Sequence, residues 1–298
     1  MIRSIKWLWV IALSLVLLSC QSVEKHYLAF DSAEALQAAL RWSPDAKPLV
    51  SAHRGGPMKG FPENCLETFE NILSYAPCLI ECDVRKSSDG VLVMMHDETL
   101  DRTTTGTGPV SNYTLAELKA LRLKDNRGKV TTFRIPTLAE TLEWTRNKAI
   151  LAIDTKNDVT PEAIVAAIKT HNAEAYASVI TYNLSAAQRY HQLNPRLMIS
   201  ASAVGYESVK RLLASDIDKT VLMGFVGVGE PDHELYEMLH RNGIRAILGT
   251  MGNLDRRAEK RGVNVYVDLL RNGADILATD NVPLAAQAIR KFIEGRKN

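Results

Sequence analysis

Leu79-Ile80-Glu81-Cys82-Asp83-Val84 is the stretch that decides the fold. It is short, and apolar apart from two acids set two residues apart. On an extended strand, side chains alternate between faces, so Glu81 and Asp83 share one face and Cys82 and Val84 the other. A strand that hides both an acidic face and an apolar face belongs inside a protein. Parallel strands covered on both sides read this way.

Seven further segments resemble it: 49–53, 150–155, 178–181, 197–201, 221–225, 244–248 and 275–278. Helix-like stretches separate them. Residues 64–76 place Leu66, Phe69, Leu73 and Ala76 on one side, and Asn64 with Glu67 resembles a capping box. Residues 232–242 carry Leu235 and Leu239 at helical spacing, with Gly243 placed to end the helix. Eight strand-then-helix repeats in 298 residues predict an α/β fold, a closed (β/α)8 TIM barrel. The alternative is an open doubly wound sheet. Against it, no glycine-rich dinucleotide loop follows the first strand.

One interval breaks the rhythm. Residues 86–148, between the second and third strands, form an insertion. It holds a hairpin strand at 91–95, then His96, a turn at 102–108 and helices near 114–121 and 138–145. Loops of that length are usually functional or small subdomains.

In a barrel the Glu81–Asp83 pair points inward near the strand's C-terminal end, where barrel enzymes keep their sites. Two carboxylates this close repel unless a cation or proton intervenes. Asp154 and Lys156 repeat the spacing on the next barrel strand, adding a third acid and a fixed positive charge. A salt-bridged strand end explains one such pair; two pairs on adjacent strands point to a metal. All-oxygen ligation favours a hard divalent cation, Mg²⁺ or Ca²⁺. No C-x-x-C or H-E-x-x-H spacing supports zinc.

His53 ends the first strand and His96 ends the hairpin strand. Histidines converging on an acidic site can exchange protons near neutral pH. Arg54 suits a phosphate, with its permanent charge and forked donors. Gly55 and Gly56 allow a tight backbone path beside it. Glu63 is placed to orient Arg54 or Lys156, or simply to start a helix. His171, His191, His233 and His240 lie in or at the starts of helix-like stretches and read as surface or core residues.

The first twenty residues stand apart. Arg3 and Lys6 precede an almost wholly apolar run from Trp7 to Leu18, which ends at Leu17-Leu18-Ser19-Cys20. The run is short for a membrane span and reads as a signal peptide over 1–19. Ser19-Cys20 resembles a bacterial lipoprotein processing box, with Cys20 as the lipidated residue of an exported, cell-envelope protein. Soluble secretion and an uncleaved anchor are the other readings. Residues 20–47 then form a tether plus one extra helix at 32–42, and 48–298 the barrel. Acyl chains on Cys20 would tether the protein without spanning the membrane. Cleavage lowers the net charge from 36 − 34 = +2 to 34 − 34 = 0, leaving no basic excess for nucleic acid. Cys65, Cys78 and Cys82 read as buried thiols; the last two are too far apart on one strand to bridge.

The motifs resemble those of the glycerophosphodiester phosphodiesterases. They run in order as His53-Arg54-Gly55, Pro62-Glu63-Asn64, Glu81-Cys82-Asp83-Val84, Asp89-Gly90, His96-Asp97 and Leu100-Asp101-Arg102-Thr103-Thr104. Gly273-Ala274-Asp275 and Thr279-Asp280-Asn281 are similar to the family's closing motif. The resemblance implies a barrel with metal ligands Glu81, Asp83 and Asp154, paired catalytic histidines His53 and His96, and Arg54 and Lys156 on the phosphate. It implies hydrolysis of a glycerophosphodiester to sn-glycerol 3-phosphate and an alcohol. The glycerol 2-hydroxyl attacks phosphorus, and water opens the resulting cyclic phosphate. Three departures stand out. Cys65 replaces a small hydroxyl residue. Asp154 replaces the commoner Glu and, being shorter, leaves room for a bridging water. The run 246–253 lacks the usual Trp, which leaves the alcohol open. Other readings are a phosphodiesterase of the same barrel class acting on lysophospholipids or phosphoinositides, and a catalytically dead lipid-anchored binding protein.

Overall fold

The computed structural model describes residues 24–296. The proposed leader and Cys20 lie outside them. Nine strands form one sheet: β1 (Leu49–Ala52), β2 (Cys78–Lys86), β3 (Leu92–Met94), β4 (Ile150–Thr155), β5 (Ala177–Thr181), β6 (Met198–Ser202), β7 (Leu222–Phe225), β8 (Arg245–Gly249) and β9 (Ile276–Thr279). Eight pair in parallel in chain order. β1 pairs both β2 and β9, which closes the barrel, and β3 alone is antiparallel. The fold is therefore the closed (β/α)8 barrel, and the open sheet is excluded. Each of the eight barrel strands lies within two residues of its sequence-derived span.

The strands are buried on both faces because helices cover the outside and side chains fill the inside. In β2, Cys78, Ile80, Cys82 and Val84 are buried toward the helices, whereas Leu79, Glu81 and Asp83 line the interior cavity. Cys65, Cys78 and Cys82 are buried and free. Burial pushes the Cys65 and Cys78 thiols up to about 12, and each donates a hydrogen bond, Cys65 Sγ to Glu67 Oε2 (2.7 Å) and Cys78 Sγ to Ala76 O (3.2 Å).

The extra helix, Ala33–Leu40, starts at Ser32, whose side chain accepts from Ala35 N–H. It buries Leu36 and Leu40 completely or nearly so. Such burial is worth about 1.5–3 kcal/mol per side chain. Its end is tied to the first residue of β8: Arg245 Nη2 donates to Ala39 O (3.2 Å) and Nη1 to Lys47 O (3.0 Å). The helix thus closes the N-terminal end of the barrel and leaves the opposite end open.

The long interval after β2 builds that open end. β2 runs on past the barrel, and β3 turns back along it with Val84 opposite Met94. Met95 N–H donates to Asp83 O at 2.9 Å, so the next residue, His96, is delivered beside the acids. A satellite core including Val93, Met95, Leu100, Leu118 and Ile135 supports the segment. Its helices, Leu115–Ala120 and Leu138–Thr145, each open with a Thr/Glu capping box.

The expected Asn64–Glu67 capping box does not form. The helix is Leu66–Ile72, with Cys65 at its N-cap and no side-chain cap. Asn64 takes a left-handed conformation, φ 55°. Its amide is spent on β2, so a tertiary contact outcompetes the local one. Among the described residues no helix is long and apolar enough to cross a membrane.

Candidate active site

At the C-terminal end of the barrel lies a cavity of about 270 Å³, lined on one side by His53, Glu81, Asp83, His96, Asp154 and Lys156. Strand register brings the acids together. Asp83 and Asp154 are direct partners across β2 and β4, and Glu81 lies two residues back on the same face. One carboxylate oxygen from each lies within 4.8 Å of the others. All three residues are buried.

Burial, with the charge of Asp83 next door, pushes the Glu81 carboxyl well above the usual range. Burial works the same way on Asp83, but the Lys156 ammonium overrides it and holds Asp83 below its ordinary value. Lys156 Nζ is 2.6 Å from both Asp83 Oδ1 and Asp154 Oδ2. Burial disfavours its charge, yet the two carboxylates win and raise its pKa. Three carboxylates against one ammonium leave a negative surplus. Asp154 Oδ1 is buried without any hydrogen-bond partner. An orphaned carboxylate oxygen in an all-oxygen cluster fits a hard divalent cation.

Asn64 holds Asp83 from the far side. Its Nδ2–H donates to Asp83 Oδ2 (2.7 Å), and its Oδ1 accepts from Asp83 N–H (2.9 Å). The turn after β1 does the same for Glu81, whose Oε2 accepts from Arg54 N–H. That turn is sharp: Arg54 has φ 50° and Gly55 φ 78°. A Cβ on Gly55 would fall inside the Phe69 ring, so only glycine fits there.

Both histidines are held by aspartates through Nδ1. His53 Nδ1–H donates to Asp280 Oδ1 (2.7 Å) and His96 Nδ1–H to Asp97 Oδ1 (2.7 Å). This arrangement presents Nε2 for chemistry. His96 Nε2 is met by Arg54 Nη2 at 2.8 Å. A guanidinium can only donate, so His96 Nε2 is the acceptor in this contact.

A closed ring of polar contacts joins these groups. Arg102 donates to both oxygens of Asp97 (2.6 and 2.9 Å) and to both of Glu63 (2.8 Å each). Glu63 also lies 3.4 Å from Arg54 Nη1, and Arg54 returns to His96. Of the two partners expected for Glu63, it faces Arg54 and not Lys156. Arg102 is half-exposed, so solvent screens part of what its ion pairs add to stability. What it does is orient His96 and Arg54 together. Arg85 adds to this by donating to His96 O at 3.1 Å.

The sequence-derived candidates His53, Arg54, Glu63, Glu81, Asp83, His96, Asp154 and Lys156 thus gather at one end of the barrel. Asp97, Arg102 and Asp280 were visible there only as motif letters without a role, and Asn64 only as an expected helix cap. His240, read as surface or core, is buried at the barrel's other end, stacked on Trp42 and 2.9 Å from Asp275.

The chain matches the Glycerophosphoryl diester phosphodiesterase family over residues 53–286. It is 37% identical over 160 residues to a glycerophosphodiester phosphodiesterase of Caldanaerobacter subterraneus, covering 51% of this chain and 65% of that enzyme. It is 31% identical over 175 residues to one of Bacillus subtilis, covering 52% and 59%. The chain therefore spans less than two thirds of those relatives' length. A crystal structure of a glycerophosphoryl diester phosphodiesterase from Parabacteroides distasonis superposes with a TM-score of 0.83 at 36% identity, covering 90% of this chain and 95% of that one. With the match extending from His53 across the barrel, the chain belongs to the glycerophosphoryl diester phosphodiesterase family.

Proposed function

We propose that the protein hydrolyses glycerophosphodiesters to sn-glycerol 3-phosphate and an alcohol. The observation that carries this reading is two aspartate-backed histidines beside three clustered carboxylates and Lys156 in one cavity. A hard divalent cation, Mg²⁺ or Ca²⁺, held by Glu81, Asp83 and Asp154, would bind and acidify the glycerol 2-hydroxyl.

The chain's own residues do the rest. Asn64 and the Arg54 amide fix two of the three carboxylates before substrate arrives. Lys156 and Arg54 balance the phosphate charge and stabilise the crowded transition state. We assign His53 as the base that takes the 2-hydroxyl proton and His96 as the acid that protonates the leaving alcohol. Because Arg54 occupies His96 Nε2 in the free protein, this assignment requires the guanidinium to turn onto the phosphate when substrate binds. His96 Nε2 is then released for a proton. Water opens the cyclic phosphate with the histidine roles reversed. Glu63 acts on substrate through Arg54. On the strength of residues 3–20 we also place the protein in the bacterial cell envelope, tethered to a membrane through a lipid on Cys20.

The direct experiment is product identification with a panel of glycerophosphodiesters of differing head group. Release of sn-glycerol 3-phosphate, lost on chelation and restored by Mg²⁺ or Ca²⁺, is the expected result. Release of a phosphorylated head group with free glycerol would refute the proposed direction of cleavage.

A further inference from the structure

His53 and Asp280 meet because β9 lies beside β1. Ala52 and Thr279 are register partners, so the residues that follow them, His53 and Asp280, leave the two strands side by side. Register alone does not hold the pair. The Asp280 side chain is 51% exposed, and among the described residues its one hydrogen bond is the one to His53. A short acidic side chain at an exposed strand end keeps a fixed direction only if its backbone is fixed. A second, buried acid does this from outside the residues that line the cavity.

That acid is Asp255, in the first turn of the helix Asn253–Arg261 that follows β8. The helix dipole favours an acid there, but that role needs no burial, and Asp255 is 4% exposed. Burying a carboxylate is costly unless it is hydrogen-bonded, and Asp255 accepts three bonds. Its Oδ2 takes the Asp280 backbone N–H (2.8 Å). Its Oδ1 takes the hydroxyls of Tyr266 (2.7 Å) and Thr279 (3.0 Å). Tyr266 lies on the next helix, Asn264–Asn272, and both hydroxyl residues are completely buried. The helix start is itself tied to the sheet: Asp255 N–H donates to Thr250 O (2.8 Å), and Thr250 N–H to Ala278 O (2.7 Å). One carboxylate thus joins two helices to the end of β9.

We infer that Asp255 is a positioning residue for the reaction: by fixing the Asp280 backbone it holds His53 in the Nδ1–H tautomer, with Nε2 free to take a proton. The catalytic consequence rests on the proposed function, in which His53 is the base. A His53 ring in the other tautomer carries its proton on Nε2 and cannot accept one from the 2-hydroxyl. The donors around Asp255 are of two kinds. The Tyr266 and Thr279 hydroxyls can rotate to accept, whereas the Asp280 N–H can only donate. Asparagine at 255 can therefore set its carbonyl on the Asp280 N–H and its amide on the two hydroxyls. Alanine can do neither.

The test is kcat and KM on glycerophosphocholine, with imidazole ¹⁵N spectra of the same proteins, the His53 signals being assigned by their loss in His53→Gln. Asp255→Ala should lower kcat about 10–100-fold, as loss of an outer partner of an active-site group typically does, with KM little changed. Its His53 signals should show both tautomers. Asp255→Asn should keep the Nδ1–H form and stay within about threefold of the unmodified kcat, the scale of one modest hydrogen bond. If Asp255→Ala does not fold, Tyr266→Phe keeps the ring packing and removes one donor. It should lower kcat about threefold and begin to mix the tautomers. A merely structural role would lower Tm and leave the tautomer alone. A single unchanged tautomer in Asp255→Ala, or in Tyr266→Phe where that variant stands in, overturns the inference. So does an Asp255→Asn variant as impaired as Asp255→Ala. If the unmodified protein cleaves no glycerophosphodiester, the proposed function falls, while the tautomer spectra still decide whether Asp255 holds His53.

Discussion

Replacing Asn64 by alanine is the sharpest test of how the site is held. Asn64 and Asp83 are both buried, so water cannot simply replace the lost amide. The substitution removes the 2.7 Å donor to Asp83 Oδ2, a bond to a charged group worth about 1.5–3 kcal/mol. It leaves Asp83 N–H, which now donates to Asn64 Oδ1 at 2.9 Å, without a partner, costing about 1–3 kcal/mol. Alanine must also adopt φ 55°, where asparagine is tolerated, at about 1 kcal/mol. Together the loss is roughly 3.5–7 kcal/mol, against the 5–15 kcal/mol typical of a folded domain. Asn64→Gly relieves the backbone conformation but not the lost bonds, so it should recover only about 1 kcal/mol. Denaturant unfolding at pH 7 reads these differences. If Asp83 is a metal ligand, both variants should also need roughly 10–100-fold more Mg²⁺ or Ca²⁺ for half-maximal activity. Losses below 1 kcal/mol with an unchanged metal requirement would show that Asn64 does not position Asp83.

Four other outcomes are expected. General acid catalysis is worth about 10²–10⁴-fold, and nitrophenolate hardly needs a proton to leave. His96→Ala should therefore be severely impaired on glycerophosphocholine and far less on a nitrophenyl ester of glycerol phosphate, whereas His53→Ala should be impaired on both; the reverse pattern swaps the roles. Excess chelator should abolish turnover, and full activity in a protein shown to be metal-free would remove the Glu81–Asp83–Asp154 site. Arg102, aided by His96, holds the Asp97 carboxyl below the usual range. A depressed carboxylate pKa contributes stability that is fully present above the unfolded value of about 3.9 and is lost as the pH falls through the folded one. Asp97→Asn should then flatten the fall in Tm below about pH 4, and an identical acid profile in the variant counts against the pairing. Cys20→Ala should release the protein from membranes or leave the precursor unprocessed; unchanged processing and retention would end the lipoprotein reading.

The alternation of Leu79 to Val84 and the recurrence of short apolar segments are properties of the chain read a few residues at a time. A strand's two-residue period and a helix's 3.6-residue period are local, so the barrel, its eight strands and the inward acids could be read directly. Spacing also placed Asp154 and Lys156 on one face. Where a local rule met a tertiary demand, the local rule lost. Asn64 and Glu67 have the right spacing for a capping box, but β2 claims the Asn64 amide first.

Closure of the barrel decided the rest. Asp280 lies 227 residues from His53, and Arg102 lies 39 residues from Glu63, so no periodicity could pair them. Closure sets β9 beside β1 and brings Asp280 to His53, while the return of β3 along β2 sets His96 within reach of Arg54. The anchor of Asp280 arises the same way. Asp255 is an ordinary acid in sequence. It becomes a buried acceptor only because β8 and β9 are neighbours, which brings the helix after β8 to the end of β9. Local geometry determines which face of a strand a side chain takes. Only the closed sheet determines which distant side chain it meets there.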